Sequence, residues 1–169
     1  MDKVKLRLNA IPKKTILRVI DAYHGRGSIW KNVQKEYSGI INILKIDKEQ
    51  KDDVFVFIGE NSKYLESLNL DGYDVIDLDA YGVPYDQLKI IFKKQYHGIV
   101  FVTFIQTVMG CLPFEFLNDL GYTDAMIKKC PTLFYKNGFQ KLCSFLKING
   151  VKKIMYRFKD RKYYLSFHN

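Results

Sequence analysis

The chain reads as an α/β protein, and three observations predict that class. Apolar, β-branched runs alternate with segments of helical spacing five times along the sequence. Residues 16–30, ILRVIDAYHGRGSIW, pass from a buried-type strand through a glycine-rich turn into a helix. Residues 151–167 alternate around Asp160-Arg161, as an antiparallel hairpin does.

Met1 to Thr15 reads as a short lead-in. The first strand begins at Ile16, and the glycine turn follows Asp21. A helix is expected from Ser28 to about Tyr37, stopped by Gly39. Ile40–Ile46, closed by Asp47, and Val54–Ile58, closed by Gly59-Glu60-Asn61, are the next two strands. Only the seven residues DKEQKDD separate them, whereas a parallel crossover normally takes about a dozen or more. The intervening helix is therefore missing or reduced to a turn, or the two runs pair as a hairpin. Ser62–Leu68 is a short helix and Tyr73–Leu78 the fourth strand, with Asp77 and Asp79 at its end. Asp86–Tyr96 is helical and Gly98–Phe104 is the fifth strand. Helices over Pro113–Leu120 and Phe134–Leu146 precede the hairpin of Val151–Phe158 and Lys162–Phe167. Without repeats or linkers, residues 1–169 are expected to form one domain, with no separate target-recognition domain.

Composition narrows the function. Ile99–Met109, the most apolar run, is interrupted by Thr103, Gln106 and Thr107, so it reads as a strand and not a membrane span. The first fifteen residues have no signal-peptide core. Cys111, Cys130 and Cys143 are odd in number and lack a C-x-x-C pair, which points to reduced thiols in a cytoplasm. His24, His97 and His168 are scattered, giving a metal site little support. Residues 1–124 carry net charge −1 and residues 125–169 carry +10, so the whole excess sits in the last quarter. A localised basic field suits a polyanionic partner, and a solvated lysine-rich surface is the plainer account.

The glycine turn can be read further. A dinucleotide fingerprint needs a small residue three positions after its second glycine, where this chain has Trp30. The form D-x-Y-x-G-x-G-S-I, from Asp21 through Tyr23, Gly25 and Gly27, instead resembles the first motif of the Rossmann-like, class I S-adenosylmethionine (SAM) dependent methyltransferases. The resemblance implies an open, mostly parallel sheet with helices on both faces and a C-terminal antiparallel hairpin. It also implies that the loop at Asp21, Tyr23, Gly25 and Gly27 wraps the methionine part of SAM. Asp47 would take the ribose hydroxyls, and Glu60 or Asn61 the adenine. Acids repeated along one rim are costly unless partnered, and SAM's sulfonium and hydroxyls would partner them. Each acid could equally serve as a helix N-cap.

Residues 73–88, YDVIDLDAYGVPYDQL, resemble the fourth motif of nucleic-acid amino methyltransferases, and in form that of the tRNA guanine N2-dimethyltransferases. The matches are Asp77, Asp79, Tyr81, Gly82 and Pro84, and the departure is Ala80, where that pattern has proline. The implied roles are Asp79 and the carbonyl of Ala80 accepting the N–H bonds of an exocyclic amine, with Tyr81 stacking on the base. The leading expectation is a SAM-dependent enzyme N-methylating a base in RNA or DNA. The alternatives are a protein or small-molecule methyltransferase, and a non-catalytic module of the same fold that binds nucleic acid or a protein partner.

Overall fold

A computed structural model describes residues 3–49, 55–105, 112–130, 134–160 and 162–168. Its strands are β1 (Ile16–Asp21), β2 (Ile40–Asp47), β3 (Phe57–Ile58), β4 (Val75–Leu78), β5 (Ile99–Ile105), β6 (Lys153–Lys159) and β7 (Lys162–His168). They form one sheet in the order β3-β2-β1-β4-β5-β7-β6. The first five are parallel, β7 is antiparallel to β5, and β6 is antiparallel to β7. The expected hairpin is thus present and closes one side of the sheet.

The pleat sorts side chains between two layers. Leu17, Val19, Val75 and Phe101 face one side, where helices α1 (Lys3–Ala10) and α2 (Ser28–Glu36) bury Val4, Leu6, Trp30 and Val33 against them. Ile20, Ile76, Val100 and Phe167 face the other side. There they meet α3 (Asn61–Ser67), α4 (Tyr85–Lys93), α5 (Phe114–Asp119), α6 (Asp124–Lys129) and α7 (Phe134–Ile148), through residues such as Leu65, Leu88, Phe116, Ile127 and Phe145. No helix among the described residues is long and apolar enough to cross a membrane.

The structure corrects the sequence reading in two places and decides between its alternatives in a third. Residues 3–10 are a helix rather than a lead-in. Its apolar residues are too few to announce it, yet Val4, Leu6 and the Arg7 side chain are all buried. The runs on either side of DKEQKDD are parallel, with Ile46 opposite Phe57 and Asp47 opposite Ile58. A two-residue strand pairing only with the end of β2 needs no returning helix, which removes the length objection. The helix α6, capped by the Thr123 hydroxyl accepting from the Met126 amide at 3.3 Å, was not expected. Val54 and the segment 106–111, with Cys111, lie outside the described residues.

Candidate functional site at the carboxyl ends of the strands

Asp21, Asp47, Asp77 and Asp79 end β1, β2 and β4, so all four reach the rim where open α/β sheets hold ligands. Asp21 sits opposite Asp77 in the register, and the Ala22 amide donates to the Asp77 carbonyl at 3.0 Å. By the pleat, Asp21, Asp77 and Asp79 belong to the face that α1 covers.

Each acid has a partner within the chain. Asp77 is fully buried and accepts from Arg7 Nε at 2.7 Å and Arg7 Nη2 at 2.8 Å. It also accepts from Trp30 Nε1 at 2.7 Å. Burial is the largest influence on the Asp77 carboxyl, pushing its pKa up to about 7. Arg7 opposes the rise, while Asp21 and Asp79 add to it. Asp79 receives Lys3 Nζ on both oxygens, at 2.6 and 2.7 Å, together with the Thr103 hydroxyl. Asp21 Oδ2 lies 2.8 Å from His24 Nδ1, and both side chains are buried. Asp47 is half-buried and accepts from the Gly25 amide at 2.6 Å. For Asp77 and Asp79, the cation that a buried acid demands is therefore supplied first by α1. Sequence reasoning passed over Lys3 and Arg7. The available signal was two cations four residues apart, one helical turn, matching two acids two residues apart on a strand.

The two motif glycines do different work. Gly25 has φ +56° and open space around it; the nearest atom to an added Cβ would be the Tyr23 carbonyl oxygen, at 3.9 Å. Gly27 has φ +65°, and an added Cβ would lie 2.5 Å from His24 Cε1. The missing side chain of Gly27 thus makes room for the chain's own imidazole. Gly27→Ala combines that clash with a left-handed backbone and is expected to cost about 2–4 kcal/mol. Gly25→Ala, strained but unobstructed, should cost about 1 kcal/mol. Urea denaturation of the two variants tests the difference, and equal losses would contradict it.

A cavity of about 230 Å³ opens over this loop, lined among others by Lys3, Asp21, Gly25, Ser28, Asp79 and Tyr81. Tyr23 also lines it, and burial raises the pKa of its phenol. Ala80 is buried, while Tyr81 is 97% exposed. Asn61 is buried behind the loop, donating to the Ala22 carbonyl at 3.0 Å and accepting from Gln87 Nε2 at 2.9 Å. Glu60 is exposed and pairs with Lys63 at 3.2 Å. Asp21, Tyr23, Gly25, Gly27, Asp79 and Tyr81 therefore share one cavity. Asp47, Glu60 and Asn61 do not line it, although Asp47 reaches the loop through the Gly25 amide.

No family model matches the sequence, and no curated protein does so. Solved structures do match the fold. Phosphoethanolamine N-methyltransferase 2 of Haemonchus contortus, in complex with S-adenosyl-L-methionine, aligns with TM-score 0.60 at 11% identity, over 99% of this chain and 52% of its own. Human N-acetylserotonin methyltransferase, in complex with SAM, aligns with TM-score 0.52 at 12% identity, over 99% and 51%. A conserved hypothetical protein of Streptococcus pyogenes aligns with TM-score 0.54 at 13% identity, over 94% and 89%. The chain spans about half the length of the two named methyltransferases. It has the Rossmann-like α/β fold of the class I SAM-dependent methyltransferases.

Proposed function

We propose that the chain is a SAM-dependent methyltransferase that methylates a nitrogen of a nucleic-acid base. The observation that carries this reading is the cavity at the strand ends, where the glycine loop, Asp21 and Asp79 meet in a methyltransferase fold.

The residues present suit the cofactor. Gly25 leaves its backbone approachable, and three carboxylates, Asp21, Asp77 and Asp79, line the cavity that a cationic sulfonium would enter. Asp47 is half-buried with acceptor capacity beyond the Gly25 amide, as a ribose diol requires. When bound, SAM supplies an electrophilic methyl group. The chain's own task is to present the nucleophile, because the lone pair of an exocyclic amine is delocalised into its ring. Asp79, accepting an N–H of that amine, draws the nitrogen toward a tetrahedral shape and takes up the proton lost as the new N–C bond forms. Tyr81 offers an exposed ring on which the base stacks.

Calorimetry with SAM and with its demethylated product tests the reading. The intact chain is expected to bind both. Asp47→Ala, which frees the Gly25 amide and removes the ribose acceptor, is expected to weaken binding at least about tenfold, the equivalent of 1.4 kcal/mol. Undiminished binding by this variant would put the cofactor elsewhere.

One observation favours a second reading. Lys3 already occupies both oxygens of Asp79. A non-catalytic module that retains the fold as a binding scaffold would keep such a pair, and it would bind neither SAM nor its product.

A further inference from the structure

The hairpin brings the basic end of the sequence to the same rim as the candidate site. Because β7 runs against β5, its first residues lie beside the last residues of β5, with Lys162 opposite Ile105 and Tyr163 opposite Phe104. Thr103, which donates to Asp79, is opposite Tyr164, and Lys3 Nζ lies 5.1 Å from the Tyr164 ring centre. Lys162 Nζ lies 5.5 Å from the ring centre of Tyr81. The path from Asp79 to the hairpin tip is therefore continuous.

At the outer edge, β6 pairs with β7 alone among the described residues. Its sequence alternates rings and cations, so the pleat sends Tyr156 and Phe158 to the α7 side of the sheet and Lys153, Arg157 and Lys159 to the opposite side, that of Lys162 and Tyr164. Tyr156 and Phe158 are 55% and 56% exposed, and Lys153, Arg157 and Lys159 between and around them are exposed too. Among the described residues no carboxylate pairs with these three cations. The rings are fixed from behind. Phe139 of α7 stacks on Tyr163 at 4.3 Å with 9° between planes, Phe158 lies 4.6 Å from Tyr163, and Tyr156 lies 4.5 Å from Phe139. The two outer rings are thus held in place while keeping more than half their surface in water.

We propose that the outer edge of β6, with the hairpin tip and Tyr81, is the docking surface for a single-stranded nucleic acid. Bases stack on Phe158, Tyr156 and Tyr81, and phosphates pair with Arg157, Lys159 and Lys162. The chemistry selects this occupant. Fixed, exposed rings on one side of an edge strand and unopposed cations on the other match a ligand lying along that edge, its π-faces turned to the rings and its negative charges to the cations. A duplex hides its base faces, and an apolar protein surface would leave the cations unmatched. The proposal rests on the nucleic-acid reading above and assigns it a surface, turning a pattern of charge in sequence into a route that leads to Asp79.

Fluorescence anisotropy tests it, using labelled mixed-sequence single-stranded RNA, single-stranded DNA and a duplex across a salt series, with SAM calorimetry in parallel. The parent is expected to bind the single strands more tightly than the duplex. Phe158→Ala should weaken single-strand binding about fivefold or more, since a stacked base contributes about 1 kcal/mol or more. If that variant unfolds, Tyr81→Ala, at a fully solvated ring, reads the same loss. The double variant Lys159→Glu, Lys162→Glu should flatten the logarithmic salt slope by about 1.4, or 0.7 per phosphate contact. Lys93→Glu, an equal change of charge per site at an exposed position of α4, should leave the slope unaltered. Duplex preference with no effect of the ring variants overturns the proposal. So does an equal loss of binding in Lys93→Glu, or binding to anionic phospholipid vesicles without binding to either single strand. Strand binding without SAM binding would support this surface and end the methyltransferase reading. SAM binding without strand binding would do the opposite.

Discussion

Arg7→Ala is expected to lower the unfolding free energy by about 3–5 kcal/mol, enough to unfold a domain of ordinary stability in part. The reason is what remains. Asp77 is 1% exposed and would lose two of its three donors, leaving only the Trp30 indole. The Arg7 side chain also packs over two rings, its guanidinium carbon 5.1 Å from the centre of Phe101 and 5.8 Å from that of Trp30. The loss should depend on pH. A carboxyl whose folded pKa is raised from 3.8 to about 7 contributes stability that is fully present below 3.8 and is lost as pH rises through about 7. Without the opposing guanidinium the folded pKa rises further, so the gap between variant and parent should widen above pH 7. Urea denaturation at pH 5 and pH 8 measures this. The pair Arg7→Met, Asp77→Leu should be milder than Arg7→Ala, because no buried charge is left alone, although the Trp30 N–H then lacks its acceptor at about 1–3 kcal/mol. If the double variant proves the worse of the two, Asp77 is not held by Arg7 as described.

Asp79→Asn is expected to reduce methyl transfer by about 100- to 10,000-fold while leaving SAM binding nearly unchanged. An ionised carboxylate offers about four acceptor positions. Lys3 takes one on each oxygen and Thr103 takes a second on Oδ1, so one position on Oδ2 is left for an incoming N–H. Arg7 Nη2 stands 3.9 Å from that oxygen, too far for a hydrogen bond. An asparagine would present its amide nitrogen in place of one oxygen and could not take up the proton. Transfer of a labelled methyl group from SAM to bulk RNA and to denatured DNA measures the loss, and calorimetry supplies the control. Equal transfer by parent and variant would remove Asp79 from the reaction.

The fold was legible because its signals are local. The β-branched runs of β1, β4 and β5 are bounded by acids and glycines, and the alternation in β6 and β7 marks a hairpin without reference to the rest of the chain. Trp30, the bulky residue where a dinucleotide fingerprint needs a small one, is buried and bonded to Asp77. What the sequence concealed depends on residues far apart. Lys3 and Asp79 are separated by 76 positions and Arg7 and Asp77 by 70, and no window joins them. The rim acids were therefore assigned to a ligand, although α1 supplies the nearest cations of Asp77 and Asp79. His24 was overlooked for a different reason. It lies between motif positions, and only the folded turn shows its ring in the space beside Gly27.

The long reach of α1 also orders events during biosynthesis. Its cations precede their carboxylates by some seventy residues. At a translation rate of about 5–20 residues per second, α1 leaves the ribosome about 4 to 14 seconds before β4 exists to receive it. For that interval the helix has no acids to dock on, and at eight residues it is too short to persist alone in water. A helix made early thus takes its place only after β4 has followed it, and the mouth of the cavity is finished only after the strand that carries Asp79 has been made.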